Sequence, residues 1–136
     1  MNFSEKKHTK RILIVDDEVD VLDFLKIYLV SLGWEVSIAS TIQEAFAELE
    51  TNVFFLVITD IAMPEMDGHE FISKLHEKHI PVEVALMTGF GYNPKHTLVK
   101  IFKTVKYPCL FKPFNRAKVA ETVQSAWDLY HQELPR

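Results

Sequence analysis

Arg11-Ile12-Leu13-Ile14-Val15-Asp16-Asp17-Glu18 decides the fold: in RILIVDDE, four consecutive apolar residues stop abruptly at three acids. Four residues are too few for a buried helix, and a run rich in branched side chains suits a β-strand covered on both faces. The acids then stand at the strand's carboxyl end. Beyond them Leu22, Leu25, Leu29 and Leu32 recur at spacings of three and four, which predicts a helix over 19–32 with one face toward a core, stopped by Gly33. Strand and amphipathic helix together form the unit from which the chain is read outward.

That unit recurs. VSIA at 36–39 predicts a second strand, and Thr41 with Glu44 has capping-box spacing before a helix whose inward residues are Ile42, Ala45, Phe46 and Leu49. FFLVIT at 54–59 is the most hydrophobic stretch, the candidate central strand, and it ends at Asp60. A proline-containing turn leads to a helix framed by Asp67 and Glu70, with Phe71, Ile72 and Leu75 inward, and 82–87 reads as a fourth strand despite Glu83. Asn93 and Pro94 open a further helix with Leu98, Ile101, Phe102 and Val105 as its buried stripe. CLF at 109–111 is a short fifth strand, and Val119, Val123, Trp127 and Tyr130 line a last helix capped near Asn115 and closed at Pro135. Five strands alternating with five helices predict parallel βα units with right-handed crossovers, an α/β three-layer sandwich with helices on both sheet faces.

Composition narrows the function. The 136 residues suffice for one domain, and 48 % apolar with 25 % charged residues, 4 Gly and 6 Pro exclude disordered and low-complexity classes. A net charge of -4 argues against a protein whose main work is gripping a nucleic-acid backbone. Lys6, Lys7, Lys10 and Arg11 give the start a positive bias that reads as a solvated polar tail over 1–10, ahead of a domain over 11–134. One Cys excludes an intrachain disulfide and has no partners at zinc-ligand spacing. No apolar run nears the roughly 20 residues that cross a bilayer, and the polar start lacks a signal peptide's hydrophobic segment, so membrane insertion is not expected and the expected location is cytoplasmic.

In an open parallel sheet, ligands sit beyond the carboxyl ends of the strands. Asp16 and Asp17 end the first strand and Asp60 the third, so the three acids converge if those strands are neighbours. The plainer reading of Asp16 and Asp17 is a cap on the first helix. Convergent carboxylates repel unless a cation shares the site, and an all-oxygen set suits Mg²⁺. Thr88 closes the fourth strand and Lys112 the fifth, adding a hydroxyl and an ammonium to the same edge. Such a set can manage a phosphoryl group: a carboxylate oxygen attacks phosphorus, cation and lysine hold the equatorial oxygens, and Thr88 donates a hydrogen bond. Gly89 leaves room for the incoming group.

VDDE at 15–18, DIAMPEMDG at 60–68, TG at 88–89 and KPF at 112–114 resemble the receiver (CheY-like) domain of two-component response regulators over residues 10–133. The resemblance implies a flavodoxin-like (βα)5 fold with the sheet in order 2-1-3-4-5. It implies Asp60 as the acceptor of a phosphoryl group from a histidine kinase or histidine phosphotransfer protein. Asp17 and Asp60 then bind Mg²⁺, or Mn²⁺ in its place, with the Ala62 backbone carbonyl as a further ligand and Asp16 acting mostly through water. Lys112 pairs with the aspartate and then its phosphoryl group, and the bond to Pro113 is cis. In the family, switching couples the Thr88 hydroxyl to an aromatic residue three places before the lysine. That place is Cys109 here, so Tyr107, two residues earlier with the same strand parity, is the alternative switch candidate, and Phe90 and Tyr92 in the loop after Thr88 are others.

Several residues read more plainly. Met63, Pro64 and Met66 shape the loop after Asp60, Gly68 permits the entry into the third helix, and His69, His76, His79 and His96 lack matched metal partners. Trp127 and Tyr130 suit a buried stripe, or a helix face in a homodimer. A phosphorylation-independent interaction module that keeps an acidic pocket is the competing reading, and a small-molecule phosphatase with an aspartyl intermediate or a flavin-phosphate binder fit less well. The downstream target is not readable, nor whether the chain acts alone or is a piece of a longer protein.

Overall fold

A computed structural model describes residues 9–61, 63, 66, 68–89 and 107–132. Five parallel strands, β1 (Arg11–Val15), β2 (Glu35–Ala39), β3 (Leu56–Asp60), β4 (Glu83–Thr88) and β5 (Cys109–Phe111), form one sheet in the order β2-β1-β3-β4-β5. Helices α1 (Val19–Ser31), α2 (Ile42–Thr51), α3 (Gly68–Glu77) and α4 (Arg116–Gln132) are seen among the described residues. The helix expected after Asn93 and Pro94, with the suspects Phe90 and Tyr92, lies outside them.

Strand parity builds the three layers. Ile12, Ile14, Leu56, Ile58, Ala85, Met87 and Leu110 turn to one face, where they meet Leu22, Leu25 and Leu29 of α1 and Val119, Val123, Ala126 and Tyr130 of α4. Leu13, Val15, Val57, Val84 and Leu86 turn to the other, against Ala45 and Leu49 of α2 and Phe71, Ile72 and Leu75 of α3. Both faces are dry, so the central strands read as continuous hydrophobic text.

Local chemistry sets the ends. Gly33 has φ +99°, and its N–H donates to Val30 O at 3.0 Å while Trp34 N–H donates to Leu29 O at 3.2 Å, the paired bonds of a Schellman stop. Helix α1 therefore ends one residue before the expected Leu32, which is 47 % exposed and not part of the buried stripe. Thr41 Oγ1 accepts from Glu44 N–H at 3.1 Å, whereas the Glu44 carboxylate reaches back to Ser40 N–H and Oγ rather than to Thr41. Asn115 Oδ1 accepts from Lys118 N–H at 3.1 Å and caps α4.

Strand bounds differ from the sequence reading, β2 beginning at Glu35 rather than Val36. β3 runs over Leu56–Asp60 rather than 54–59 and β4 over Glu83–Thr88 rather than 82–87. Ladder pairing is made by backbone groups whatever the side chain, so Asp60 pairs with Met87 and Thr88 with Phe111. Phe54 and Phe55 precede the ladder yet are fully buried, and Phe55 touches the rings of Trp34, Trp127 and Tyr130 at centroid distances of 5.1, 5.2 and 6.3 Å. Phe55→Ala is expected to cost about 3–5 kcal/mol by opening this cluster, whereas Ile27→Ala on the exposed side of α1 stays within about 0.5 kcal/mol. Urea melts followed by tryptophan fluorescence measure both.

Candidate functional site

Register brings the acids together. β1 pairs with β3 through Ile14 to Ile58 and Val15 to Thr59, so the next step on β1, Asp16, stands level with Asp60. Asp16 keeps the parity of Ile12 and Ile14, and Asp60 that of Leu56 and Ile58, so both belong to the α1 and α4 side of the sheet. One residue past β5, Lys112 continues the parity of Leu110 and reaches back across the strand ends. Its Nζ lies 2.6 Å from Asp16 Oδ2, 3.0 Å from Asp60 Oδ2 and 3.1 Å from Glu18 Oε1.

The pocket is graded in exposure. Asp16 is fully buried, the Lys112 and Asp60 side chains are 11 % and 10 % exposed, and Glu18 at the mouth is 60 % exposed. Asp17 is exposed, and ligand atoms of Asp16, Asp17 and Asp60 lie within 4.8 Å of one another, a group that could hold a metal ion. Asp16 Oδ1 also accepts Glu18 N–H at 2.9 Å, while Glu18, the N-cap residue of α1, makes no side-chain cap bond. The carboxylate of Asp16 thus closes a turn before the helix, and its other oxygen holds the lysine. The plain helix-cap reading does not describe it.

Charge balance governs ionisation here. Three carboxylates surround one ammonium, so negative charge is in excess. Burial pushes the Asp16 carboxyl above its usual range, against the opposing pull of its hydrogen bonds to Lys112 and Glu18. Burial alone would weaken the Lys112 ammonium, but its hydrogen bonds to Asp16 and Asp60, the charge of Asp60 and the bond to Glu18 prevail and hold its proton above the ordinary lysine range.

An aromatic shelf on α1 carries the turn that aims the lysine. Phe114 stacks on Phe24 with centroids 6.2 Å apart, Phe24 stacks on Tyr28 at the same spacing, and Tyr28 Oη donates to Arg116 O at 3.0 Å. The Arg116 guanidinium lies over both α1 rings, 5.9 Å from Phe24 and 5.8 Å from Tyr28. The Lys112–Pro113 peptide bond is cis, and Lys112 N–H donates to Thr88 O at 3.0 Å.

Gly89 stands open beside Lys112. A β-carbon there would lie 3.6 Å from Lys112 Cδ, 3.7 Å from its Nζ and 3.8 Å from Glu18 Oε1, ordinary contact distances, so alanine fits and longer side chains would crowd the ammonium. Thr88 shares the parity of Val84 and Leu86 and so belongs to the α2 and α3 side of the sheet. Tyr107 and Cys109 pack, half-buried, against that side as well. Pro108 between them leaves the pairing intact because its carbonyl accepts from Leu86 N–H at 2.8 Å. Burial pushes the Cys109 thiol up, and burial with the nearby Glu83 carboxylate raises the Tyr107 phenol. After β3, Ile61 N–H donates to Met87 O at 2.8 Å and Gly68 N–H to Ile61 O at 2.6 Å, while Met63 is buried and Met66 half-buried against the core. Ala62, Pro64 and Asp67 lie outside the described residues.

Comparison with known proteins fits this geometry. A sequence model of the response regulator receiver domain matches residues 12–124. The chain belongs to the response regulator receiver family. Over 115 residues, 85 % of the chain, it is 30 % identical to the transcriptional regulatory protein ZraR of Salmonella typhimurium, of which the match covers 26 %. It is 28 % identical to the response regulator protein PilR of Pseudomonas aeruginosa over 91 % of the chain and 27 % of PilR. The receiver domain thus spans about a quarter of the length of these relatives. The crystal structure of a CheY-like receiver domain protein from Methanospirillum hungatei superposes with a TM-score of 0.79 at 31 % identity, over 93 % of this chain and 99 % of that one. No helix among the described residues is long and apolar enough to cross a membrane.

Glu18 as a third partner of Lys112 and the shelf of Phe24, Tyr28 and Phe114 are the features of the site that motif reading missed. Spacing held a hint of the shelf, since Phe24 and Tyr28 stand four apart on one helix. A pH test follows from the cluster. Without divalent cations, Lys112→Met is expected to lose about 1–3 kcal/mol at pH 7, because it leaves buried carboxylates unpaired. With the opposing pull of the lysine gone, burial raises the Asp16 carboxyl further above its unfolded value of about 3.9, so the stability present below that value is lost as pH rises through the raised one. The deficit against wild type should therefore shrink as the pH falls from 7 toward 4, as urea melts at both ends would show.

Proposed function

We propose that this receiver domain accepts a phosphoryl group on Asp60 from a phosphohistidine donor, a histidine kinase or a histidine phosphotransfer protein, in a Mg²⁺-dependent reaction. The observation that supports this most is the Lys112 ammonium held between Asp16 and Asp60 at a strand-end pocket with Asp17 at its mouth. An Asp60 carboxylate oxygen attacks phosphorus, the P–N bond breaks, and the nitrogen leaves with the electron pair from a phosphohistidine ring protonated at its other nitrogen, so the donor is left with a neutral imidazole. Asp60 then carries an acyl phosphate. Water attack on its phosphorus later returns the carboxylate and inorganic phosphate.

The chain's groups divide this work. Lys112 neutralises charge on the carboxylate before transfer and on a phosphoryl oxygen after it. Thr88 donates a hydrogen bond to the phosphoryl group, and Gly89 keeps the approach open. The excess of carboxylates fits a divalent cation and the all-oxygen donor set fits Mg²⁺, held by Asp17 and Asp60, with the Ala62 carbonyl as a further ligand. Both Asp16 oxygens are engaged, by Lys112 and by Glu18 N–H, which favours contact with the cation through water. When bound, the cation offsets the charge gathering on the attacking and equatorial oxygens.

The signal leaves by the other sheet face. With Cys109 where the family usually has an aromatic residue, Tyr107 on the same face is the alternative partner for a change beginning at Thr88, and the output is a changed surface read by a downstream protein. Labelling by phosphoramidate with Mg²⁺ is expected in wild type and absent in Asp60→Asn, with mass spectrometry locating the added phosphoryl; undiminished labelling of Asp60→Asn would place the nucleophile elsewhere. Beryllofluoride, a phosphoryl mimic, should shift the amide resonances of Gly89 and Cys109, and shifts confined to Asp16, Asp17, Asp60 and Lys112 would contradict this route.

A further inference from the structure

An ammonium has three N–H donors. In Lys112 all three have carboxylate partners, at 2.6 Å in Asp16, 3.0 Å in Asp60 and 3.1 Å in Glu18. A phosphoryl group on Asp60 can take over the donor that now meets the Asp60 carboxylate, and it gains a second Lys112 donor only if another partner withdraws. Asp16 is fully buried and bound at both oxygens, so releasing it would strand a carboxylate away from water. Asp60 is the group being modified. Glu18, 60 % exposed, can pass from the lysine to solvent at small cost.

Position singles out the same residue. Glu18 Oε1 lies 3.8 Å from where a Gly89 β-carbon would stand, and Lys112 Nζ lies 3.7 Å from that point. The carboxylate therefore occupies the open side of the lysine, where the sheet edge carries no side chain. Asp20, Val21 and Phe24 line the cleft that continues outward from it.

We infer that Glu18 is a positioning residue that acts through Lys112: its carboxylate is a place-holder for the phosphoryl oxygen, satisfying the third ammonium donor in the resting state and competing with the phosphoryl group for it. The inference rests on Asp60 as phosphoacceptor and adds a resident competitor to that site. Removing the charge while keeping the shape should make the anionic group easier to accommodate, even though Lys112 loses a partner.

Glu18→Gln tests it. Each protein is first titrated with Mg²⁺ and then held at saturation, so that any change in cation affinity is separated out. Beryllofluoride half-saturation is read from tryptophan fluorescence or amide resonances. A single charge a few ångströms away, at a solvent-exposed site, predicts about a three- to tenfold lower half-saturation concentration in Glu18→Gln. The advantage should shrink when ionic strength is raised from 0.05 to about 0.5 M, where exposed charges are screened. Glu18→Ala should shift in the same direction, which separates loss of charge from any new contact made by the Gln amide. Unchanged or weaker beryllofluoride binding in both variants, or an advantage indifferent to salt, overturns the inference. Phosphoramidate labelling of wild type run alongside distinguishes the two levels: no label on wild-type Asp60 refutes the acceptor assignment, whereas a labelled wild type with no gain in either variant refutes only the role of Glu18.

Discussion

One lysine among three carboxylates is the constraint around which the strand ends are arranged. The Lys112 ammonium draws together Asp16 of the β1 end, Asp60 of the β3 end and Glu18 ahead of α1, groups that would otherwise repel. Two acids can be kept almost dry beside each other only because a donor lies between them, and the arrangement still carries surplus negative charge. A pocket in that condition favours added positive charge, and ligand atoms of Asp16, Asp17 and Asp60 lie close enough together to hold a metal ion.

The backbone makes this meeting unavoidable. With β1 beside β3 in parallel register, Asp16 and Asp60 fall on one level and one parity, although 44 residues separate them in sequence. Lys112 must then be aimed across the sheet edge. That task falls to the turn anchored by Phe114 on Phe24 and by Tyr28 on the Arg116 carbonyl. Helix α1 therefore serves the site twice, contributing Glu18 at its start and a shelf for the distant lysine along its flank.

Much of this was legible in the letters because it depends on short-range rules. Apolar runs without alternation marked strands buried on both faces, leucine spacing marked α1, and the acidic stops at Asp16, Asp17 and Asp60 marked the strand ends where those acids meet. What resisted reading has a physical cause in each case. Phe54 and Phe55 are core residues ahead of the paired stretch of β3, with Phe55 N–H donating to Arg11 O and its carbonyl accepting from Glu83 N–H. Asp60 and Thr88 lie inside their strands because backbone pairing ignores polarity. Leu32 looked like the last inward leucine, but the chain turns at Gly33 before that face can be used. Glu18 could not be chosen from among several acids until the reach of Lys112 was known, and the stacking of Phe114 on Phe24 joins residues 90 apart in sequence.

The alternation of side chains along the strands has a further consequence. Asp16, Asp60 and Lys112 share the parity of the α1 and α4 layer, while Thr88, Cys109 and Tyr107 share that of the α2 and α3 layer. The two sets of side chains thereby lie on opposite faces of a barrier one strand thick, bridged where Lys112 N–H meets the Thr88 carbonyl. A side chain on one face can therefore be exchanged, as at Cys109, without touching the side chains of Asp16, Asp60 and Lys112 on the other.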